Sequence, residues 1–174
     1  KHSGLTSSKN LFLDTYQAET DSTYGEIKDL DSNVTVTLDD TGNNQPNVNK
    51  NTEKYIMYAW TGIKGYSNFG VYKGNGDSDG KFIYTGFKPR WVMWKAIGAA
   101  YNWDIYDTKR STFNAMGHRL KADDDAAGSD VGDVVDFLSN GFKHRQSWDS
   151  TNKSNTNYIY AAFAEHPFKI ARAR

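Results

Sequence analysis

Asn75, Asp77 and Asp79 stand two apart within "GNGDSDG" (residues 74–80), and they are the first residues whose types could do chemistry. Side-chain oxygens at that density suit a cation such as calcium or the hydroxyls of a sugar. The same residue types also form Asx turns and tolerate positive φ, and the stretch separates "FGVYK" from "KFIYTGF". A hairpin or loop between antiparallel strands therefore accounts for all of it, with a calcium or sugar loop as the alternative. A second acidic group, Asp123 to Asp125 with Asp130 and Asp133 nearby, raises the same choice. Calcium needs six to eight converging oxygens that spacing alone does not supply, so a solvated acidic loop is the plainer expectation.

Tryptophan is the best candidate for ligand contact, because a flat indole can lie against a sugar ring or anchor a protein interface. Trp91 and Trp94, three apart, fall on opposite faces of a strand, one of them toward the core. Trp103 begins the next strand. Trp148 differs from these, lying in the polar run "RQSWDSTNKSNTN" with Asn152, where it has little company to bury it, although a lone loop tryptophan is also readily tucked into the core. Asn33 and Asn152 also head N-x-S/T sequons, which matter only in a glycosylated secreted protein.

Catalytic and metal signatures are missing. The chain has no GxSxG, HExxH or phosphate loop, and it has no cysteine for a nucleophile, a disulfide or a thiolate metal site. His2, His118, His144 and His166 lie far apart in sequence and are expected in turns or at the surface. Asp107 and Arg110 in "YDTKR" are expected to pair and fix a strand end. Carboxylate pairs for glycoside hydrolysis are defined by a spatial separation that sequence does not report. We expect no enzyme.

The elements that must position these residues are strands. Tyr, Phe and Trp make up 14% of the 174 residues, and glycine and asparagine punctuate the aromatic and β-branched runs. Strands are predicted at "NLFLDTY", "EIKDL", "NVTVTL", "KYIMYAW" (residues 54–60), "KFIYTGF", "RWVMWKAI", "NWDIYDT", "DVVDFL" and "NYIYAAFA". Tyr158 and Tyr160 should share one face of the last strand, with Ile159 on the other. Residues 110–133 are broken by Gly117, Gly128 and Gly132 and hold at most one short helical turn. "TEKYIMYAW" aligns with "TNYIYAAF", Tyr55 over Tyr158 and Trp60 over Phe163, which suggests an internal repeat. Residues 1–60 then read as the back part of one unit and residues 61–174 as a fuller one. The start "KHSGLTSSKN" reads as cut from something longer.

Twenty-one basic and 21 acidic side chains give zero net charge, which removes any global attraction for nucleic acid or an anionic membrane. Lys169, Arg172 and Arg174 are expected to form a solvated tail. No apolar run is long enough for a helical membrane span.

The segments "GYSNFGVYKGNGDSDGKFIYTGFKPRWVMWK", "WDIYDTKR", "VVDFLSNGFKHR" and "NYIYAAFAEHPFKIARAR" together resemble a recurrent domain of bacteriophage virion proteins, often tail-fibre-like. The resemblance covers residues 61–174 and extends weakly over residues 1–60. It implies a concanavalin-like β-sandwich on a phage particle. Residues and resemblance taken together lead us to expect one all-β domain, an antiparallel two-sheet sandwich of jelly-roll or concanavalin-like type built from two related units. Its function is expected to be binding of a host-surface glycan, with Trp148, Asn152, Asn75, Asp77 and Asp79 at the site, no cofactor unless calcium, and multivalent or homo-oligomeric display. The competing expectation is a capsid or tail decoration protein that touches only other virion subunits.

Overall fold

A computed structural model of the chain describes residues 1–6, 9–21, 27–30, 36–38 and 53–167. The sequon at Asn33, the front of "NVTVTL" and the cations Lys169, Arg172 and Arg174 lie outside the described residues.

The described residues are all-β and contain no helix, and hence none long and apolar enough to cross a membrane. Twelve strands occur: β1 (Lys9–Asn10), β2 (Thr20–Asp21), β3 (Ile27–Leu30), β4 (Val36–Leu38), β5 (Ser67–Lys73), β6 (Phe82–Tyr84), β7 (Pro89–Ala96), β8 (Asp104–Asp107), β9 (Met116–Lys121), β10 (Ser129–Leu138), β11 (Gly141–His144) and β12 (Asn157–Ala164). β1–β2 and β3–β4 are separate two-stranded ribbons, and the other eight form one antiparallel sheet in the order β5-β12-β7-β8-β9-β10-β11-β6. Two sheets were expected. Instead the hydrogen bonding is continuous, although only Asp104↔Lys121 and Ile105↔Leu120 join β8 to β9.

At that thin join, and at the register shift between Asp130 and Val135 in β10, the sheet bends until its halves face each other. Phe142 of β11 lies 6.2 Å from Trp94 of β7 and 5.4 Å from Tyr160 of β12, ring centre to ring centre. The edges nearly meet as well, since the Asn68 side-chain amide of β5 donates to the Thr85 carbonyl just past β6 at 3.4 Å. The result approaches a closed barrel.

β12 shows how its sequence makes it central. Tyr158, Tyr160, Ala162 and Ala164 alternate into the core, and the two alanines keep that face low enough for the aromatic rings of the opposite half. Gly70, opposite Tyr160 on β5, is required there because an added Cβ would come within 2.9 Å of the Tyr160 ring. Ile159 lies on the opposite face, as the alternation predicted, and it too is covered. It packs with Leu5, Ile97 and Trp103 in a second cluster that Leu11 and Met93 border. Trp103 Nε1 donates to the Phe12 carbonyl at 2.8 Å, so the first residues of the chain lie along the outer face of β7 and β12.

Several expectations are corrected by these pairings. Residues 54–60 form no strand and are exposed along their whole length, and "NLFLDTY" is irregular after Asn10. Strand-prone composition does not make a strand until an edge accepts it. The aligned repeat segments accordingly differ in conformation, residues 157–164 being central in the sheet. β9 occupies the stretch expected to hold at most a helical turn, its glycine serving close approach: a Cβ on Gly117 would meet the Gly132 carbonyl. Asp107 and Arg110 do pair, at 2.5 Å, and Asp107 also caps the turn by accepting from the Lys109 and Arg110 amides.

Candidate binding loops

Loops 74–80, 97–103, 122–128 and 145–156 all leave the sheet at one end, because the strands they join are antiparallel neighbours or face one another. Among the predicted site residues, the structure brings Asn75, Asp77, Asp79 and Asn152 into one hydrogen-bonded group. The buried Asn152 amide donates to Asn75 Oδ1 at 2.6 Å and to the Asp77 carbonyl at 2.8 Å, while its Oδ1 accepts from the Asn75 N–H at 3.1 Å. The Asn152 carbonyl accepts from the Gly76 N–H at 2.8 Å. Gly74 completes the contact, since a Cβ there would collide with the Lys153 carbonyl.

Asn152 is thus a clamp between two loops, with no side-chain surface left to offer a ligand or a glycosyl group. "GNGDSDG" closes as successive Asx turns: Asn75 Oδ1 accepts from the Asp77 N–H at 3.2 Å, and Asp77 Oδ1 from the Asp79 N–H at 2.9 Å. Lys143 pairs with Asp79 at 2.5 Å, and that hydrogen bond holds the Asp79 carboxyl below the usual carboxylate range. Asp123 likewise turns inward, to the Asn102 side chain and the Trp103 N–H, and Asp124 pairs with Lys121 at 2.8 Å. Among the described residues no three His, Cys, Asp or Glu side chains gather as a metal group.

The loop carrying Trp148 is pinned from beneath by the core. Tyr158 donates its hydroxyl to the Asp149 carbonyl at 2.7 Å, Trp94 its indole N–H to the Ser150 carbonyl at 3.1 Å, and Tyr72 its hydroxyl to the Thr151 carbonyl at 2.7 Å. The Trp148 carbonyl accepts from the Thr151 and Asn152 amides, and the Lys153 carbonyl from Thr156. Six successive carbonyls, 148 to 153, are therefore occupied. On this frame the Trp148 side chain stands 37% exposed.

Asp149, on the same loop, accepts from the Tyr101 hydroxyl at 2.8 Å and pairs with Lys153 at 2.6 Å. The Lys153 hydrogen bond lowers the Asp149 carboxyl, and Asp149 in turn raises both the Lys153 ammonium and the Tyr101 hydroxyl. Sequence reasoning missed these three residues. The i,i+4 acid and base in "DSTNK" was the available signal, whereas Tyr101 comes from a loop 48 positions away.

Below the pinned loop lies a polar interior. Asp104, Tyr106 and His144 are wholly buried, and neither the Asp104 carboxylate, the Tyr106 hydroxyl nor either His144 nitrogen has a hydrogen-bond partner. His144 corrects the expectation of a surface histidine. Its ring centre sits 4.8 Å from that of Trp94 and 5.0 Å from that of Tyr72, and burial pushes its pKa down to about 3. Burial lifts the Asp104 carboxyl to about 6, against the pull of Arg119 at 3.8 Å. Chemically, the loop end can present an indole, a phenol, an ammonium and a carboxylate on a fixed backbone above this polar interior.

No curated protein and no solved structure matches the chain. One family model matches residues 1–167, nearly the whole length that the strands and loops above occupy. The chain belongs to the family described as a domain of unknown function, DUF7483.

Proposed function

We propose that the chain is a binding module, without catalytic activity, carried on a bacteriophage particle, and that its loop end takes a host-surface glycan. The observation that carries this reading is the partly exposed Trp148 on a loop whose carbonyls from 148 to 153 are all bonded. An indole held in place offers a flat apolar face to a sugar ring, and Tyr101, Asp149 and Lys153 supply hydroxyl-binding groups around it. Asn75, Asp77 and Asn152 serve the frame, and Asp79 with Lys143 forms a polar rim. The facing halves of the sheet are read as a concanavalin-like or jelly-roll sandwich, in keeping with the resemblance to virion domains. Many copies on a particle would raise a weak site to useful avidity.

A second reading, a virion decoration protein that contacts only other subunits, is favoured by the exposed apolar stretch at residues 56–60. The two are separated by presenting the full chain multivalently on beads to an array of bacterial surface polysaccharides, with and without EDTA, beside Trp148→Ala. Saturable binding to at least one polysaccharide, weakened about tenfold or more in the variant at unchanged Tm, is expected. Absence of binding across the array would overturn the glycan reading. EDTA sensitivity would add calcium to it.

A further inference from the structure

Ile63 and Ser67 exchange both backbone hydrogen bonds, at 3.0 and 2.9 Å, as an antiparallel bridge. Ser67 Oγ also donates to the Thr61 carbonyl at 2.8 Å. The chain has thus already turned back toward β5, and β5 is an edge of the main sheet with only β12 beside it. Along β5 the backbone groups of alternate residues face opposite ways. Those of Tyr72 and Gly70 face β12, in step with the Gly74 N–H that donates to Thr156, while those of Phe69, Val71 and Lys73 face away, in step with Ser67.

Extending the Ile63↔Ser67 register one residue at a time places Thr61 opposite Phe69, Ala59 opposite Val71 and Met57 opposite Lys73. These are the positions whose hydrogen-bonding groups are turned outward. The side chains agree with that register. Tyr72 points into the core and Val71 outward, so Ile56, Tyr58 and Trp60 would take the inner side, with Met57 and Ala59 outside. Trp60 would fall opposite Gly70, beside the Tyr160 ring that lies against that glycine. In the structure Ile56, Tyr58 and Trp60 are 83%, 74% and 67% exposed, and Tyr58 and Trp60 stack at 6.1 Å on one side of an extended chain.

We propose that the free edge of β5 is a strand-acceptor site and that its occupant is residues 56–61 of the same chain, docking as a ninth strand of the main sheet in the register set by the Ile63–Ser67 bridge. Docking satisfies the outward groups of Phe69 and Val71. It also carries the three exposed apolar side chains over the mouth between β5 and β6. The same chain is the occupant, and a second copy is not, because the intact bridge fixes the register only within one molecule.

The absence of native cysteine makes the test direct. Ala59→Cys with Val71→Cys, oxidised in the full-length chain, is expected to close an intrachain disulfide, because residues paired in this way sit about 5.5 Å apart between Cα atoms. The pair Ala59→Cys with Lys73→Cys, two positions out of register, should close at least about tenfold less. In the unsubstituted chain, amide exchange at Phe69 and Val71 should run at least about tenfold slower than in unstructured peptide. Equal closure of both pairs, no closure, a bond between chains, or unprotected Phe69 and Val71 amides would each overturn the proposal.

Discussion

The loop end and the stretch just ahead of β5 are built from opposite materials and reach opposite outcomes. Residues 74–80 and 145–156 are polar and rich in glycine, asparagine, aspartate and serine, yet their backbones are held by Asn152 and by three core aromatic side chains. Residues 56–60 are apolar and strand-prone, yet in the structure they pair with nothing that would make them a strand. The contrast teaches that order follows from the satisfaction of backbone groups, and composition acts only through it. A polar loop becomes rigid when a buried amide and aromatic hydroxyls reach its carbonyls. A hydrophobic strand stays exposed until an edge receives it.

The contrast should break most completely at Asn152. Asn152→Ala removes the three hydrogen bonds of a buried side chain that joins the two loops, an expected loss of about 3 kcal/mol in denaturant unfolding. Chymotrypsin should then cut after Trp148, a bond the native loop protects, so that the loop end becomes as open as residues 56–60. Unchanged stability and no new cleavage would show that the clamp does not hold the loop.

A smaller effect is expected from pH, which acts on the polar interior beneath the same loop. Burial lowers His144 to about 3, so the neutral form that the fold requires is protonated in the unfolded chain first, and stability from this group is lost as pH falls from about 6.5. Asp104, raised to about 6, acts in the other direction, since the folded state takes up its proton before the unfolded state does and gains stability as pH falls from 6 to 4. Between about pH 6 and 4 the two slopes cancel, leaving a plateau, and below pH 4 stability falls. Asp104→Asn removes one slope. The variant should lose about 1.4 kcal/mol per pH unit across that window relative to its value at pH 6.5. A variant as flat as the native chain in chemical denaturation at pH 6, 5 and 4 would contradict the assignment.

The least effect belongs to the loop rim. Asp79→Asn breaks a solvent-exposed pair with Lys143 but leaves the Asx turns and the clamp intact, so its Tm should match that of the native chain. A clear drop would mean that the rim carries part of what is assigned to Asn152.

Much of the main sheet was legible because its strands announce themselves by alternation. "RWVMWKAI" and "NYIYAAFA" became β7 and β12, and the opposite faces of Trp91 and Trp94 follow from their spacing. β9 and β11 were hidden, since "MGHRLK" and "GFKH" carry polar or glycine residues wherever a neighbour comes close. The loop grouping of Asn75, Asp77, Asp79 and Asn152 was anticipated as a site, but the role of Asn152 was not. An asparagine in a polar run looks like surface, and only the arrival of a loop 77 positions away buries it. His144 was misplaced for the same reason: four residues of strand are too few to show that its ring lies between Trp94 and Tyr72.

The six bonded carbonyls of residues 148–153 have a consequence for how a ligand would be met. A loop already confined by its own core has little backbone entropy left to lose, so binding through Trp148, Asp149 and Lys153 would carry almost none of the cost of ordering the loop. The backbone that fixes these residues is held through their carbonyls, and their side chains take little part in it. Different side chains at 148 and 153 could therefore be shown from the same unmoved frame, which separates what this end of the molecule recognises from what keeps it folded.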